Sequence, residues 1–234
     1  MSEQSLIVHF SQLIPHNVGN GITEYQMFGR EQTVNHNASI ELLVIEDDAS
    51  LNIHHSEDEC TYYLLSGRGM IALLKHSSQT RYTLDPDTAA WIPVDTKHLI
   101  MNTGDGPFRC LVTRCKAPAR KGKALIVAAS QFQVHELVGF ISRTIFSPDL
   151  LIASGASRTI GVDLETLTPK ATLGSHEHEE EFLYVLRGKG FVRINEKEFA
   201  VKPGSVVYTG PHIVHSVHNT ENDNFQYLVY EFSP

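Results

Sequence analysis

The sequence predicts an all-β protein built from two tandem antiparallel β-barrels. Short runs rich in Val, Ile, Leu and Tyr recur along the 234 residues, such as IELLVI at 40–45 and QYLVYEF at 226–232. Segments rich in Gly, Pro, Asn and Asp separate these runs about every 8 to 12 residues, a spacing typical of sandwiches and barrels. A third observation is that the second half of the chain reproduces the pattern of the first, as a duplicated barrel would.

The repeat is defined by two matched blocks. CTYYLLSGRG at 60–69 corresponds to EFLYVLRGKG at 181–190, and WIPVDTKHLIMNT at 91–103 corresponds to YTGPHIVHSVHNT at 208–220. The two offsets differ by the length of one hairpin turn, which is longer in the first half. His98 therefore corresponds to His215.

The domain boundaries follow from the repeat and from one connecting segment. APARKGKA at 117–124 combines Pro, Gly and charge, as a linker does. We expect an N-terminal barrel over 1–116, a linker over 117–124 and a C-terminal barrel over 125–234. Helical periodicity is weak everywhere, and its best candidate is 130–139.

The strand at 182–186 is apolar on both of its alternating faces. One face can line a barrel interior. The other face, which carries Phe182, Tyr184 and Leu186, must then pack on a second sheet, on the other barrel or on a second subunit. This pattern leads us to expect a homodimer.

Composition excludes several classes of partner. The net charge is −8 and the 19 Lys and Arg residues form no long run, so we expect no nucleic acid partner. No apolar stretch approaches the roughly 20 residues that a membrane span needs. The N-terminus lacks the pattern of a secretory signal, and the odd number of cysteines (Cys60, Cys110, Cys115) argues against a disulfide framework. We therefore expect a cytoplasmic protein whose partner is a small-molecule substrate.

Histidines and a carboxylate in the second half have the composition of a metal site. GSHEHEEEFLYVLRG at 174–188 contains His176, His178 and Glu181, and His215 follows later. Imidazoles and one carboxylate form a ligand set for a divalent transition metal that keeps exchangeable positions. Fe, Mn, Ni and Zn all suit this set, and we expect one such ion in the C-terminal barrel.

These motifs resemble those of the cupin superfamily. The first motif is matched by His176, His178, Glu181 and Gly188, and the second by Gly204, Pro211, His215 and Asn219. The first half matches the same outline more loosely. The resemblance implies a two-domain bicupin of jelly-roll barrels (double-stranded β-helices), with metal ligands at His176, His178, Glu181 and His215.

The second half departs from the family pattern at two points. Only two residues separate His178 from Glu181, fewer than the family spacing. Counting back from Gly188 selects Glu181 as the ligand, whereas strand alternation from His178 selects Glu180. His212 stands where the second motif has glycine, as a turn residue or as a group that contacts the substrate.

The first half carries a degraded version of the motif. Cys60 occupies the position of Glu181, and IHHSEDE replaces the histidine pair. His98 keeps the position of His215. Two interpretations stay open: a metal site drawn from His54, His55, Glu57, Cys60 and His98, or a barrel that has lost its metal.

The leading functional hypothesis is a metal-dependent enzyme that acts on a small organic metabolite. Oxygen-dependent cleavage of the dioxygenase type, which is oxidoreductase chemistry, comes first, and isomerase or lyase chemistry follows closely. Tyr208 or His212 would assist proton transfer. The alternatives are a non-catalytic cupin that binds metal or a small molecule, and a structural bicupin similar to storage proteins. Fold alone does not separate these hypotheses.

Overall fold

The computed structural model describes residues 7–34, 36–54, 57–75, 78–118 and 120–233, with only the backbone for 52–54. The strands of the first half are β1 (Ile7–His9), β2 (His16–Gly19), β3 (Ile22–Phe28), β4 (Ala38–Ile45), β5 (Ser50–His54), β6 (Asp58–Ser66), β7 (Gly69–Lys75), β8 (Ser78–Leu84), β9 (Ala89–Ile92), β10 (His98–Asn102), β11 (Phe108–Lys116) and β12 (Leu125–Val127). Those of the second half are β13 (Gln133–Leu137), β14 (Phe140–Phe146), β15 (Thr159–Leu167), β16 (Thr172–His176), β17 (Glu180–Arg187), β18 (Gly190–Ile194), β19 (Lys197–Val201), β20 (Ser205–Thr209), β21 (His215–Asn219) and β22 (Phe225–Phe232). A short helix, α1 (Pro148–Ala153), lies between β14 and β15.

Each half forms a barrel from a seven-stranded and a four-stranded sheet. The sheets of the first barrel have the orders β12-β9-β6-β11-β4-β3-β2 and β5-β10-β7-β8. The second barrel has β1-β20-β17-β22-β15-β14-β13 and β16-β21-β18-β19, which is the same arrangement of corresponding strands. The prediction of two tandem antiparallel barrels is confirmed.

Two short strands cross the expected domain boundaries. β1 pairs with β20 in the sheet of the second barrel, and β12 pairs with β9 in the sheet of the first. Each half therefore supplies an edge strand to the seven-stranded sheet of the other barrel. The exchange pairs backbone groups that β9 and β20 would otherwise leave open at a sheet edge.

The segment with the weak helical pattern does not form an α-helix. It contains a 3₁₀ turn (Ala129–Gln131) followed by β13, which pairs with β14 over its whole length. The pairing with a β-rich neighbour outweighs the local preference of the segment. Among the described residues, no helix has the length and apolarity needed to span a bilayer.

The largest hydrophobic core lies between the two barrels. Phe182 and Tyr184 are buried there, and Leu186 packs against them. The ring of Phe182 stacks on Phe28 of the first barrel, with ring centroids 5.8 Å apart. The prediction that the outer face of this strand packs on another surface is confirmed, and that surface is the other barrel. Separate apolar clusters fill the interior of each barrel.

Candidate metal centre

The four predicted ligands of the second barrel come from both of its sheets. His176 ends β16 and faces His215, the first residue of β21, across the four-stranded sheet. Glu181 is the second residue of β17 in the seven-stranded sheet. His178 lies between β16 and β17 rather than on a shared strand with His176, because the chain crosses here from one sheet to the other.

The side chains of these residues converge. The ligand atoms of His176, His178 and His215 lie within 4.8 Å of one another. Glu181 approaches two of the rings: its Oε1 atom lies 2.9 Å from Nε2 of His215, and its Oε2 atom lies 3.8 Å from Nε2 of His178. His215 and Glu181 are buried, whereas His176 and His178 are half-buried. The group is therefore accessible from one side.

One nitrogen of each imidazole is already engaged. Nδ1 of His176 lies 2.6 Å from the Gly174 carbonyl, and Nδ1 of His215 lies 3.0 Å from the Ile213 carbonyl. Nδ1 of His178 lies 3.1 Å from the Glu231 carboxylate. Since these oxygens accept hydrogen bonds, Nδ1 is the donor in each ring, and Nε2 is the atom that each ring can offer to an ion; without an ion, Nε2 of His215 faces Glu181. Engagement of Nδ1 by an acceptor is the usual arrangement of metal-binding histidines.

The pKa values of the buried residues His215 and Glu181 depend on each other. Burial disfavours the charged imidazole of His215, but the hydrogen bond and the charge of Glu181 raise the pKa of His215 above its ordinary value. Burial likewise disfavours the Glu181 carboxylate, and the hydrogen bond from His215 holds the pKa of Glu181 below its ordinary value. Burial lowers the pKa of His176, which keeps that ring neutral and able to bind an ion. This donor set fits a divalent transition metal.

Adjacent glutamates face opposite sides of β17. Glu181 joins the histidines, whereas Glu180 is buried on the outer face and accepts a hydrogen bond from the Tyr208 hydroxyl. That hydroxyl also accepts one from the Val34 amide of the first barrel, at 2.8 Å. Tyr208 therefore lies in the contact between the barrels, and its catalytic role stays a prediction that this geometry does not support.

His212 lies at the rim of the site. Its side chain is exposed, its φ angle is 57°, and its amide donates to the His178 carbonyl at 2.9 Å. The residue therefore occupies a turn that supports the segment of His178. A part for its ring in proton transfer stays a prediction.

The first barrel fills the corresponding interior with its own side chains. Arg114 donates to Glu41 at 2.7 Å and lies 3.6 Å from the Cys60 sulfur. Nε2 of His98 lies 2.9 Å from the Tyr62 hydroxyl. Within the described part of this barrel, no three ligand atoms cluster as they do in the second barrel.

The other candidate metal ligands of the first barrel are Glu57, His55 and His54. Glu57 is exposed. His55 and the side chain of His54 lie outside the described residues.

Sequence reasoning missed three acids on the inner face of the second barrel. Asp163 and Glu165 alternate on β15, and Glu231 pairs with Glu181 across β22 and β17. The signal was present as acids at alternating positions of otherwise apolar strands. Their meeting depends on the pairing of strands that are distant in sequence.

Part of the second barrel matches a known protein family. The model of the Cupin domain family matches residues 163–231. An oxalate-binding protein of Thermotoga maritima is 38% identical over 64 residues, which cover 26% of this chain and 53% of that protein. An uncharacterized protein of Methanocaldococcus jannaschii is 27% identical over 96 residues, which cover 41% of this chain and 75% of that protein. The chain thus matches about half the length of the Thermotoga relative.

Solved structures share the fold over nearly the whole chain. A variant of Bacillus subtilis oxalate decarboxylase superposes with a TM-score of 0.80 at 14% identity and covers 97% of this chain and 77% of its own. The formate complex of Lactobacillus farciminis oxalate decarboxylase has a TM-score of 0.81 at 12% identity, with 98% and 86% covered. Residues 163–231 therefore match the Cupin domain family, and the chain as a whole shares the two-barrel fold of these oxalate decarboxylase structures.

Proposed function

We propose that the second barrel binds one divalent transition metal through His176, His178, Glu181 and His215, and that the protein acts on a small organic metabolite at this ion. The observation that carries the proposal is the orientation of the imidazoles. Each ring has its Nδ1 atom engaged by an acceptor, so Nε2 is the atom that each ring can offer to an ion, and Nε2 of His178 and of His215 faces the Glu181 carboxylate. A surface cluster of histidines has no reason to be oriented in this way.

The residues of the centre have separable tasks. Glu181 supplies the one carboxylate and brings negative charge to the buried position. Glu231 holds the ring of His178, the ligand that lies outside any strand. A bound ion would supply Lewis-acid chemistry to a ligand that enters from the open side. Manganese is the first ion to test, because a related structure is described as having Mn(II) centres.

The reaction is proposed at the level of two classes. Oxygen-dependent cleavage and isomerase or lyase chemistry both use an ion with exchangeable positions. A non-catalytic binding protein is the second candidate, and the 38% identity to an oxalate-binding protein favours it specifically. The cytoplasmic homodimer expected from the sequence stays a prediction, and the strand face that suggested it packs on the other barrel of the same chain.

Metal analysis of protein purified without chelator tests the proposal. We expect about one transition-metal ion per chain, and loss of the ion in His178→Ala. His218→Ala is the matched control, because His218 lies on the opposite face of β21 from His215. Negligible metal in the wild type, with no uptake of Mn(II), Fe(II), Ni(II) or Zn(II), would leave only a structural role. Oxygen uptake on small acids then separates the dioxygenase class from the isomerase and lyase class.

A further inference from the structure

Acidic side chains gather beside the metal centre on the inner face of the second barrel. Asp163 is paired with Val229, and Glu165 with Tyr227, in the strands that also carry Glu231. Val229 and Tyr227 belong to the apolar interior of this barrel, which fixes the direction of the paired acids. Alternate residues of a strand are about 7 Å apart, so these carboxyls line a continuous wall that starts at the metal centre.

This wall is accessible. Asp163, Glu165 and Glu231 are each only half-buried, although their strands form part of the barrel core. A ligand that reaches His176 and His178 from the open side therefore passes these carboxyls.

In the described part of the chain, no lysine or arginine pairs with these acids. Glu231 lies 3.1 Å from the His178 ring, and Asp163 accepts hydrogen bonds from two hydroxyls. Burial and mutual repulsion raise the pKa of Glu165 to about 8, as expected for acids gathered without a counter-charge.

The first barrel shows how the same scaffold balances an internal acid. Arg114 occupies the strand position of Glu231 and pairs with Glu41, which corresponds to Asp163. The first barrel thus carries its own cation in the interior. The second barrel has acids at both positions, and its missing positive charge is left for a ligand to supply.

The buried hydroxyl of Tyr227 lies on this wall as well. Tyr227 is fully buried, and its hydroxyl makes no hydrogen bond of normal geometry. Glu165, its cross-strand neighbour, is close enough to interact with this hydroxyl. Asp163 is partly satisfied, because the hydroxyls of Thr144 and Ser142 donate to its Oδ1 atom, at 2.7 and 3.4 Å. Both of these hydrogen bonds go to Oδ1, so Oδ2 keeps acceptor capacity on the same wall as the buried Tyr227 hydroxyl.

We propose that the ligand of this centre carries a nitrogen group that donates hydrogen bonds or positive charge, an amine or an amide, in addition to the oxygen that binds the metal. This inference rests on the proposed function of the site. The inference distinguishes the protein from a receptor for a dicarboxylate. If one carboxylate of a dicarboxylate bound the metal, the other would face the acidic wall and be repelled by it.

Two small chelators provide a matched test. Oxalate and oxamate bind a metal through the same pair of oxygens, and they differ only in that oxamate has an amide in place of one carboxylate. Titration of the Mn(II)-loaded protein, freed of excess ion, should show that oxamate binds about tenfold more tightly than oxalate. Equal or tighter binding of oxalate by the wild type would overturn the inference.

Isosteric variants assign the preference to the wall. Glu165→Gln and Asp163→Asn, singly and together, should shift the preference toward oxalate, and Glu196→Gln in an exposed turn should leave it unchanged. A preference that the wall variants do not alter would also contradict the inference. The Mn(II) titration that precedes these measurements keeps the two proposals distinct: failure to bind Mn(II) removes the proposed function, whereas bound Mn(II) with preferred oxalate removes only the class of ligand.

Discussion

Each imidazole of the centre is held by an acceptor on Nδ1, and the acceptors differ in kind. Backbone carbonyls hold His176 and His215, which lie on paired strands. His178 lies outside a strand and depends on the Glu231 side chain. Backbone acceptors cannot be removed by substitution, so the ring of His178 is the one whose support can be tested.

Replacing Glu231 by Ala should lower the affinity for the metal by about 10- to 100-fold, the range for outer-shell partners of ligating histidines. The reason is that the His178 ring loses the acceptor that fixes its orientation. A competition assay with a fluorescent chelator measures the change, and Glu196→Ala serves as the exposed control. An unchanged affinity would mean that Glu231 does not orient the ring.

Glu181 and His215 give the metal-free protein a definite pH dependence. The lowered pKa of Glu181 contributes stability that is present above its ordinary value of 4.5 and is lost as the pH falls through the lowered pKa. The raised pKa of His215 contributes stability that is present below 6.5 and is lost as the pH rises through the raised pKa. In this window a proton on Nε2 of His215 lies where the ion would bind.

Glu181→Gln should therefore destabilise the metal-free protein most between about pH 4.5 and pH 6.5, by about 2 kcal/mol, the range for a hydrogen bond between charged groups. The difference should shrink as the pH rises further and His215 loses its proton. Urea unfolding in the presence of chelator at a series of pH values measures it. A difference that grows above neutral pH would contradict the assigned proton.

The elements of the two barrels are joined by a buried carboxylate as well as by apolar contacts. Glu59 on β6, in the first barrel, accepts five hydrogen bonds from Ser157, Arg158 and Thr159 at the start of β15, at 2.6 to 3.2 Å. Glu180 occupies the corresponding position on β17 and contacts the first barrel through Tyr208. Both corresponding glutamates thus contact the other half of the chain, Glu59 directly and Glu180 through Tyr208.

Glu59→Gln should lower the free energy of unfolding by about 2–4 kcal/mol, because the new amide group faces donors that were paired with a carboxylate. Urea denaturation measures the loss. Glu57→Gln is the control, since Glu57 is exposed and lies two residues away. We expect that control to change stability by about 0.5 kcal/mol or less. A loss for Glu59→Gln no larger than this would show that water satisfies the donors.

At the scale of the whole molecule, one duplicated scaffold has two different interiors. The first barrel contains the Arg114–Glu41 ion pair and the His98–Tyr62 contact where the second has its proposed metal centre. The described residues of the first barrel therefore leave its interior charge largely balanced. The second barrel has acids at the positions of both Arg114 and Glu41, so its described residues form no such internal ion pair there.

Metal content should accordingly follow the second barrel alone. Glu181→Gln should lose the ion, while Cys60→Ala, at the corresponding position of the first barrel, should keep about one ion per chain. Excess metal at about 100 times its Kd should stabilise the wild type by about 2.7 kcal/mol. Elemental analysis and thermal unfolding measure these effects. Two ions per chain, or loss of the ion in Cys60→Ala, would place a metal in the first barrel.

The sequence by itself determined the two-barrel fold and the candidate ligands. Strand periodicity, turn spacing and the histidine motif are local patterns, and the repeat fixes which residues correspond in the two halves. The tertiary structure alone decided that Glu181 rather than Glu180 meets the histidines, because the crossing between sheets sets the face that each residue takes. It also decided the exchange of β1 and β12 and the meeting of Asp163, Glu165 and Glu231. Those features depend on contacts between strands that are far apart in the chain, which no local pattern encodes.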